Sequence, residues 1–522
     1  MRRLATVLVA TAIVGGGLLT VPSAAASTTA PAAAPINWGN CTDPVLQQAS
    51  AQCAVVSVPL DYAHPEGATI SIAVSRVRHT VPDAQYQGVV LVNPGGPGGS
   101  GLELSTLGSS VPGGVGADYD WIGFDPRGVG SSVPALSCDP NYFSAARPSY
   151  LPTTPQLTKT WLTRSKDYAQ ACGKAQPALL QHMTTRDAAE DMDSIRAALG
   201  QQQITYYGFS YGTYLGEVYS TLFPQRVRRM VLDSNVDPRG VWYQSNLDQD
   251  APFNRNIKIW FAWVAKYDTV FHLGSTEAAV EQLWYAQLAK LTKQPAGGIV
   301  GGDEWTDIFL QAGYYRFGWT QLGQAFAGWV SKGDWSTLKT LYQQTDTPGS
   351  DNSFAAYAAV QCTDAQWPTN WGRWAYDNWT TYAKAPFETW ANAWFNAPCI
   401  YWPAKASTPV KIDGAKTRST LLIDEELDAA TPFEGSLEVR KLYPNSSLIA
   451  EPGGMTHADS LSGDMCVDNQ VAAYLATGKL PARQQGSGPD TLCAPLPDPV
   501  PTASATATAN TRVSTPFRPR IH

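Results

Sequence analysis

The chain has 522 residues, 44% of them hydrophobic, enough to bury a large core and too many for a small binding module. Its formal net charge is −7 and no extended run of Lys or Arg occurs, which argues against nucleic-acid binding and a polybasic membrane patch. A small or neutral partner fits better.

Arg2 and Arg3 precede an apolar run over residues 4–19, and Ala24, Ala25 and Ala26 offer a small-residue cleavage site. This pattern predicts an export signal over residues 1–26 and a secreted mature chain beginning near Ser27. Leu4-Ala5-Thr6 continues the Arg pair too weakly for a twin-arginine signal. No other segment approaches the roughly 20 apolar residues of a membrane span. Residues 27–36 are expected to be a short pro-segment or linker. Eight cysteines, an even number without a C-x-x-C pair, point to disulfides rather than metal ligands. Sequence proximity suggests Cys41 with Cys53, Cys138 with Cys172, Cys362 with Cys399, and Cys466 with Cys493.

Strand-like apolar runs follow at residues 53–58, 70–77, 89–92, 121–124, 204–207 and 230–232. Ahead of the fifth, Ala188, Met192, Ile195 and Leu199 recur at helical spacing, with Thr184-x-x-Asp187 resembling a capping box and Gly200 as a stop. Strands alternating with helices imply a largely parallel sheet. Composition then shifts: 15 of the 18 tryptophans fall between Trp242 and Trp402. This span predicts an inserted, mainly helical unit over residues 239–404, its aromatics mostly filling a core and a minority lining a cleft. The α/β pattern resumes with strands at 419–423 and 447–450 and a helix around 467–475 that Gly478 can end. The first part of the α/β unit is thus expected over 37–238 and the second over 405–497. Residues 498–522 form a Pro/Ser/Thr/Ala-rich tail whose composition predicts disorder.

One G-x-S-x-G pattern occurs, Gly208-Phe209-Ser210-Tyr211-Gly212, between a strand-like run and a helix-compatible segment. A serine at such a turn has a strained backbone and an exposed hydroxyl, and the flanking glycines remove Cβ atoms that would clash. The hydroxyl becomes a nucleophile only when a histidine accepts its proton, and a carboxylate must fix that histidine's tautomer. On elbows of this kind the chain order is Ser, acid, His. His64, His79 and His182 precede Ser210, His272 falls in the insertion and His522 ends the tail; His457 remains. The acid should follow the strand at 419–423, where Asp424, Glu425, Glu426 and Asp428 compete. Asp428, in Asp428-x-x-Thr431-Pro432 a turn past the strand end, is the choice. An oxyanion hole needs backbone N–H groups: Tyr211 supplies one by position, and the loop Asn93-Pro94-Gly95-Gly96-Pro97-Gly98 the other, from Gly96 or else Gly95. The same loop contains a decoy, since Gly96-x-Gly98-x-x-Gly101 with Asp125 about 20 residues on imitates a dinucleotide fingerprint. Pro97 removes an N–H from that cradle, and a nicotinamide enzyme would leave Ser210, Asp428 and His457 without a role.

Together the glycine loop, Asp125-x-Arg127-Gly128-x-Gly130-x-Ser132, the elbow and Asp428-x-x-Thr431-Pro432 resemble the secreted tripeptidyl aminopeptidases of actinobacteria. Val58-Pro59-Leu60-Asp61-Tyr62 and Gln361-Cys362-Thr363-Asp364 add to the resemblance, which covers the mature chain. It implies an α/β-hydrolase fold, related to the proline iminopeptidases, with a mostly parallel central sheet and a large helical cap. It further implies a serine exopeptidase that releases short peptides from free N-termini, often with Pro before the scissile bond, and needs neither metal nor organic cofactor. Pro94 stands where the iminopeptidases have His, and Asp424-Glu425 are more acidic than usual. Arg127 is expected to hold its loop by pairing with a carboxylate. A carboxylate in the cap should meet the substrate's ammonium group; Asp248, Asp250, Asp364 and Glu388 are candidates, Asp364 favoured for its motif. The expected partners are peptide or protein N-termini, acted on by a monomer. The rival readings are a carboxylesterase or lipase with the same triad and an inactive binding protein.

Overall fold

The computed structural model describes residues 36–501. The expected export signal, nearly all of the linker, and residues 502–522 of the expected tail lie outside the described residues.

Ten strands form one sheet: β1 (Gly39–Asn40), β2 (Gln52–Pro59), β3 (Thr69–Val77), β4 (Val89–Asn93), β5 (Asp120–Phe124), β6 (Ile204–Phe209), β7 (Val227–Asp233), β8 (Thr420–Glu425), β9 (Ser446–Glu451) and β10 (Thr491–Leu492). Their spatial order is β1-β2-β3-β5-β4-β6-β7-β8-β9-β10. The pairs among the first three strands, and β3 with β5, are antiparallel; all others are parallel. Helices cover both faces of the parallel part, which is why β4, β5, β6, β8 and β9 are buried at every position and do not alternate polar with apolar residues. The helix Thr185–Ala198 starts at Thr184, whose side chain accepts from Asp187 N, as its sequence suggests. The long helix Pro155–Ala175 escapes the sequence reading because its buried residues, among them Trp161, Ser165 and Ala169, form a thin and partly polar stripe.

Between β7 and β8 the described residues contain nine α-helices, from Tyr243–Lys266 to Thr389–Asn396. One group of aromatics, including Trp260, Trp284, Trp305 and Trp319, makes an interior of the insertion's own, joined by Ala429, Ala430 and Met455 from the loops beyond β8 and β9. A second group, Trp242, Trp367, Trp374, Trp390 and Trp394, merges with the main core. Arg147, nearly fully buried, fastens the insertion to the loop after β5: Nε donates to Glu304 at 3.2 Å, and Nη2 to both Asp307 and Asp346 at 2.6 Å. Removing one partner of such a buried cluster costs about 3–5 kcal/mol.

The first residues of the tail expected from residue 498 are packed. Arg316 pairs with Asp498 at 3.1 Å and Trp263 Nε1 donates to Pro499 O at 3.0 Å, so this segment rests on the insertion. Arg127 holds Asp191 with Nε at 2.8 Å and Nη2 at 2.6 Å, and its Nη1 donates to the carbonyls of Leu60 and His182. Disulfides join Cys41 to Cys53, Cys138 to Cys172, Cys362 to Cys399 and Cys466 to Cys493, closing 12, 34, 37 and 27 residues of chain. Loops of this size restrict the unfolded chain by about 3–4 kcal/mol each. Thiol titration of the denatured, unreduced protein should therefore find no free thiol; two or more per chain would contradict the bridged structure. No helix among the described residues is long and apolar enough to cross a membrane.

Candidate active site

β6 lies mid-sheet and runs directly into Ser210, whose φ of +55° is strained for any residue with a Cβ. The helix Tyr211–Leu222 begins at the next residue. The turn needs its glycines: a Cβ on Gly212 would stand 2.7 Å from Asn93 O, and one on Gly208 would collide with Gly212 O. Ser210 N donates to Asp233 O at 3.0 Å, and Thr213 donates to Ser210 O through both N and Oγ1. The glycine loop after β4 presses on this elbow so closely that a Cβ on Gly95 would lie 2.8 Å from Ser210 Cβ and 2.9 Å from Tyr211 N.

The Gly95 N–H is taken by Asn93 Oδ1 at 2.9 Å. The N–H groups of Gly96 and Tyr211 carry no hydrogen bond among the described residues, and both residues line the cleft beside Ser210. They are the pair left to meet a developing oxyanion. The rest of the dinucleotide-like pattern is consumed by packing. A Cβ on Gly98 would run into Ser353 O, one on Gly101 into Phe124 O, and Asp125 clamps the loop by accepting from Ser100 Oγ, Gly101 N and Ser131 N.

Asp428 and His457 leave the carboxyl ends of β8 and β9, two and three strands from Ser210. Both are almost fully buried. Asp428 Oδ2 lies 2.7 Å from His457 Nδ1 and accepts from Thr431 Oγ1 at 2.9 Å, while Oδ1 accepts from the N–H groups of Ala430 and Thr431. Burial alone would raise the Asp428 carboxyl, but the adjacent imidazole and these donors hold it below the ordinary carboxylate value. His457 Nε2, the nitrogen turned away from Asp428, is buried without a partner among the described residues.

The three competing carboxylates face elsewhere. Asp424 accepts from Ser436 Oγ, and burial together with the charge of Asp428 pushes it well up, towards the neutral acid. Glu425 accepts from Thr456 N and Glu426 from Gly453 N. The loops that carry Asp428 and His457 are also gripped by the insertion, which sequence reading missed. Gln249 Nε2 donates to Ala430 O at 2.6 Å, Arg255 and Asn256 to Leu427 O at 2.6 and 2.9 Å, and His457 N to Tyr314 O at 2.9 Å. Local sequence carries no signal for contacts spanning more than a hundred residues.

A cavity of about 510 Å³ opens over Ser210, lined by Phe143, Tyr150, Phe253, Tyr357 and Phe395 among others. Trp242 is the one tryptophan on its wall, so the insertion's indoles serve chiefly as core. Asp364, favoured from its motif, is corrected by the structure: its oxygens are taken by Thr185 N, Thr185 Oγ1 and Trp242 Nε1, and it borders a separate, small cavity. It ties the insertion to the helix Thr185–Ala198. Glu388 and Asp248 line the main cleft. Asp248 is exposed and accepts from Gln244. Glu388 is 4% exposed, and its Oε1 has no partner among the described residues. Asp250 lies behind the wall, with Oδ1 accepting from Asn392 at 2.9 Å and Oδ2 unpaired among the described residues. Burial pushes Asp250 up to about 7, and burial with the charges of Asp250 and Asp307 raises Glu388 strongly. Among the described residues no group of three or more His, Cys, Asp or Glu is placed to hold a metal ion.

Residues 88–307 match the family described as "alpha/beta hydrolase fold" and residues 385–493 the one described as "TAP-like protein". The chain is 41% identical over 482 residues to the tripeptidyl aminopeptidase of Streptomyces lividans, covering 90% of this chain and 88% of that protein. It is 30% identical over 484 residues to the serine protease Hip1 of Mycobacterium tuberculosis, covering 86% and 90% respectively. Carboxylesterase B of the same organism is also 30% identical, over 514 residues, with 92% of this chain and 97% of that protein covered.

Proposed function

The chain belongs to the tripeptidyl aminopeptidase family of α/β-hydrolases, and from that premise we propose that it is an exported serine exopeptidase releasing short peptides, three residues at a time, from free N-termini. Pro before the scissile bond is the preferred residue, and the enzyme acts as a monomer. In this reading residues 37–238 and 405–497 form the catalytic core and residues 239–404 its cap.

The observation that carries the reading is the buried Asp428–His457 pair at 2.7 Å, on loops from the same sheet end as the strained Ser210. His457 Nε2 takes the Ser210 proton as Oγ attacks the scissile carbonyl, and Asp428 holds the tautomer that leaves Nε2 free to accept it. The N–H groups of Gly96 and Tyr211 stabilise the oxyanion. The imidazolium then protonates the departing amine, leaving an acyl-enzyme on Ser210. Water, deprotonated by the same His457, attacks the ester carbonyl; the C–Oγ bond breaks and the proton returns to Ser210.

Glu388, with Asp250 behind it, replaces Asp364 as the anchor for the substrate's ammonium. Two buried carboxyls with unpaired oxygens are costly alone, about 1–3 kcal/mol per unmet atom. A cation entering beside them restores their ionised form. N-acetylation of a tripeptide substrate should therefore lower kcat/KM by at least about tenfold, equivalent to ~1.4 kcal/mol. Glu388→Gln should remove most of that discrimination. Equal or faster hydrolysis of the blocked peptide would reject an exopeptidase.

The similarity to a carboxylesterase across nearly the whole chain supports a second reading, ester hydrolysis by the same triad. Parallel peptide and p-nitrophenyl ester panels separate the two by their kcat/KM ratio.

A further inference from the structure

Asp233, a buried carboxylate at the end of β7, has no part in the scheme above. Its backbone oxygen accepts from Ser210 N at 3.0 Å, and its Oδ2 accepts from Ser460 through N at 2.9 Å and also through Oγ. Ser460 stands three residues beyond His457, and its hydroxyl shares a further hydrogen bond with Tyr207 OH at 2.6 Å. The next residue, Ser234, is held at φ +63°; its Oγ accepts from Ala458 N at 2.8 Å, and its N donates to Ile423 O at 3.0 Å. Consecutive residues of one strand end thus grip two points of the segment just after the histidine.

We propose that Asp233 is a positioning residue for His457: it fixes the 457–460 segment against the nucleophile's strand and sets a second negative charge behind the imidazole. That charge favours the imidazolium formed each time Ser210 gives up its proton. The inference rests on the triad proposed above and adds a residue to it.

Several carboxyl groups surround the imidazole, and Asp233 is the one tied both to the nucleophile's backbone and to the segment after the histidine. From β8 come Asp428, held ionised, and Asp424, pushed towards its neutral form by burial and its carboxylate neighbours. Asp459 lies in the histidine loop, raised to about 7 by burial and the charge of Asp233. Asp468, from the helix Met465–Thr477, is raised to about 6 by burial, opposed by the N–H groups of Leu461 and Gly463 that it accepts from; its ties thus run to residues beyond the 457–460 segment. Tyr207 faces the site from β6 with its phenol raised by burial, hence neutral. Burial lifts Asp233 itself to about 6, opposed by the donors of Ser460 and by His457, so it is largely ionised at neutral pH.

An amide would accept the Ser460 hydrogen bonds as well as a carboxylate does, so Asp233→Asn keeps the clamp and removes the charge. In this variant kcat should fall about tenfold with KM within about twofold, and the acid limb of kcat/KM should move to lower pH by about half a unit. Ser460→Ala strips a donor from Asp233, raises its proton affinity and should move the limb in the same direction by less. An acid limb that stays in place or moves up in Asp233→Asn overturns the proposal, whatever happens to kcat; should that variant fail to fold, the limb in Ser460→Ala decides alone. Ser210→Ala is assayed alongside: if it retains activity the failure belongs to the triad, and if it is dead while the limb is unmoved the failure belongs to Asp233.

Discussion

Ser210→Ala should lower kcat by at least about 10⁴-fold while the protein folds and melts as before. The loss is large because Oγ forms the covalent bond to the acyl group, and the alanine methyl has no atom that could form it. The fold should tolerate the change for a specific reason. Ala keeps the Cβ that already occupies the strained φ of +55°, and the hydrogen bonds of the elbow run through Ser210 N and O rather than Oγ. Steady-state kinetics on a peptide substrate, with a thermal melt of the same preparation, checks both halves. A folded variant with near-normal turnover would sink the assignment of the nucleophile.

Asp428→Asn should cost about as much, near 10⁴-fold in kcat, because an amide donates where the carboxylate accepts and leaves the imidazole in the wrong tautomer. The substitution also weakens the loop, since Asp428 receives Ala430 N, Thr431 N and Thr431 Oγ1 as well as the histidine. Its carboxyl sits below the ordinary value when folded, so its contribution to stability is present above the unfolded pKa of about 3.9 and is lost as pH falls through the folded value. Asp424→Asn is the control: burial already keeps that group towards its neutral form, and turnover should stay within about threefold of the parent. If Asp424→Asn is crippled and Asp428→Asn is not, the acid is wrongly chosen.

How legible these features are in sequence depends on how local their causes are. β4, β6, β8 and β9 are short apolar runs because both faces are covered, and the elbow is written in five adjacent residues whose glycines avoid named backbone atoms. The two-residue strands β1 and β10 carry no such pattern. Four carboxylates compete within residues 424–428; the turn past the strand end favours Asp428 in sequence, and the structure puts Asp428 2.7 Å from His457 Nδ1. Asp364 shows the opposite case: a motif marked it as special without telling that its oxygens are already taken by Thr185 and Trp242. Glu388 has no motif at all; what marks it is burial and an unmet oxygen among the described residues, which are properties of the packed helices around it.

The position of the helical insertion between β7 and β8 also fixes when, during synthesis, hydrolysis can first occur. Ser210 leaves the ribosome nearly 250 residues before His457, an interval of about 12–50 s at ordinary elongation rates of 5–20 residues per second. Throughout it the nucleophile has no base, so the nascent chain is inert towards its neighbours. The sheet, however, already ends at β7, the strand that only β8 will cover on its far side. An open parallel edge waits through the translation of nine helices, and it is in that interval, rather than in the finished enzyme, that aggregation competes with folding.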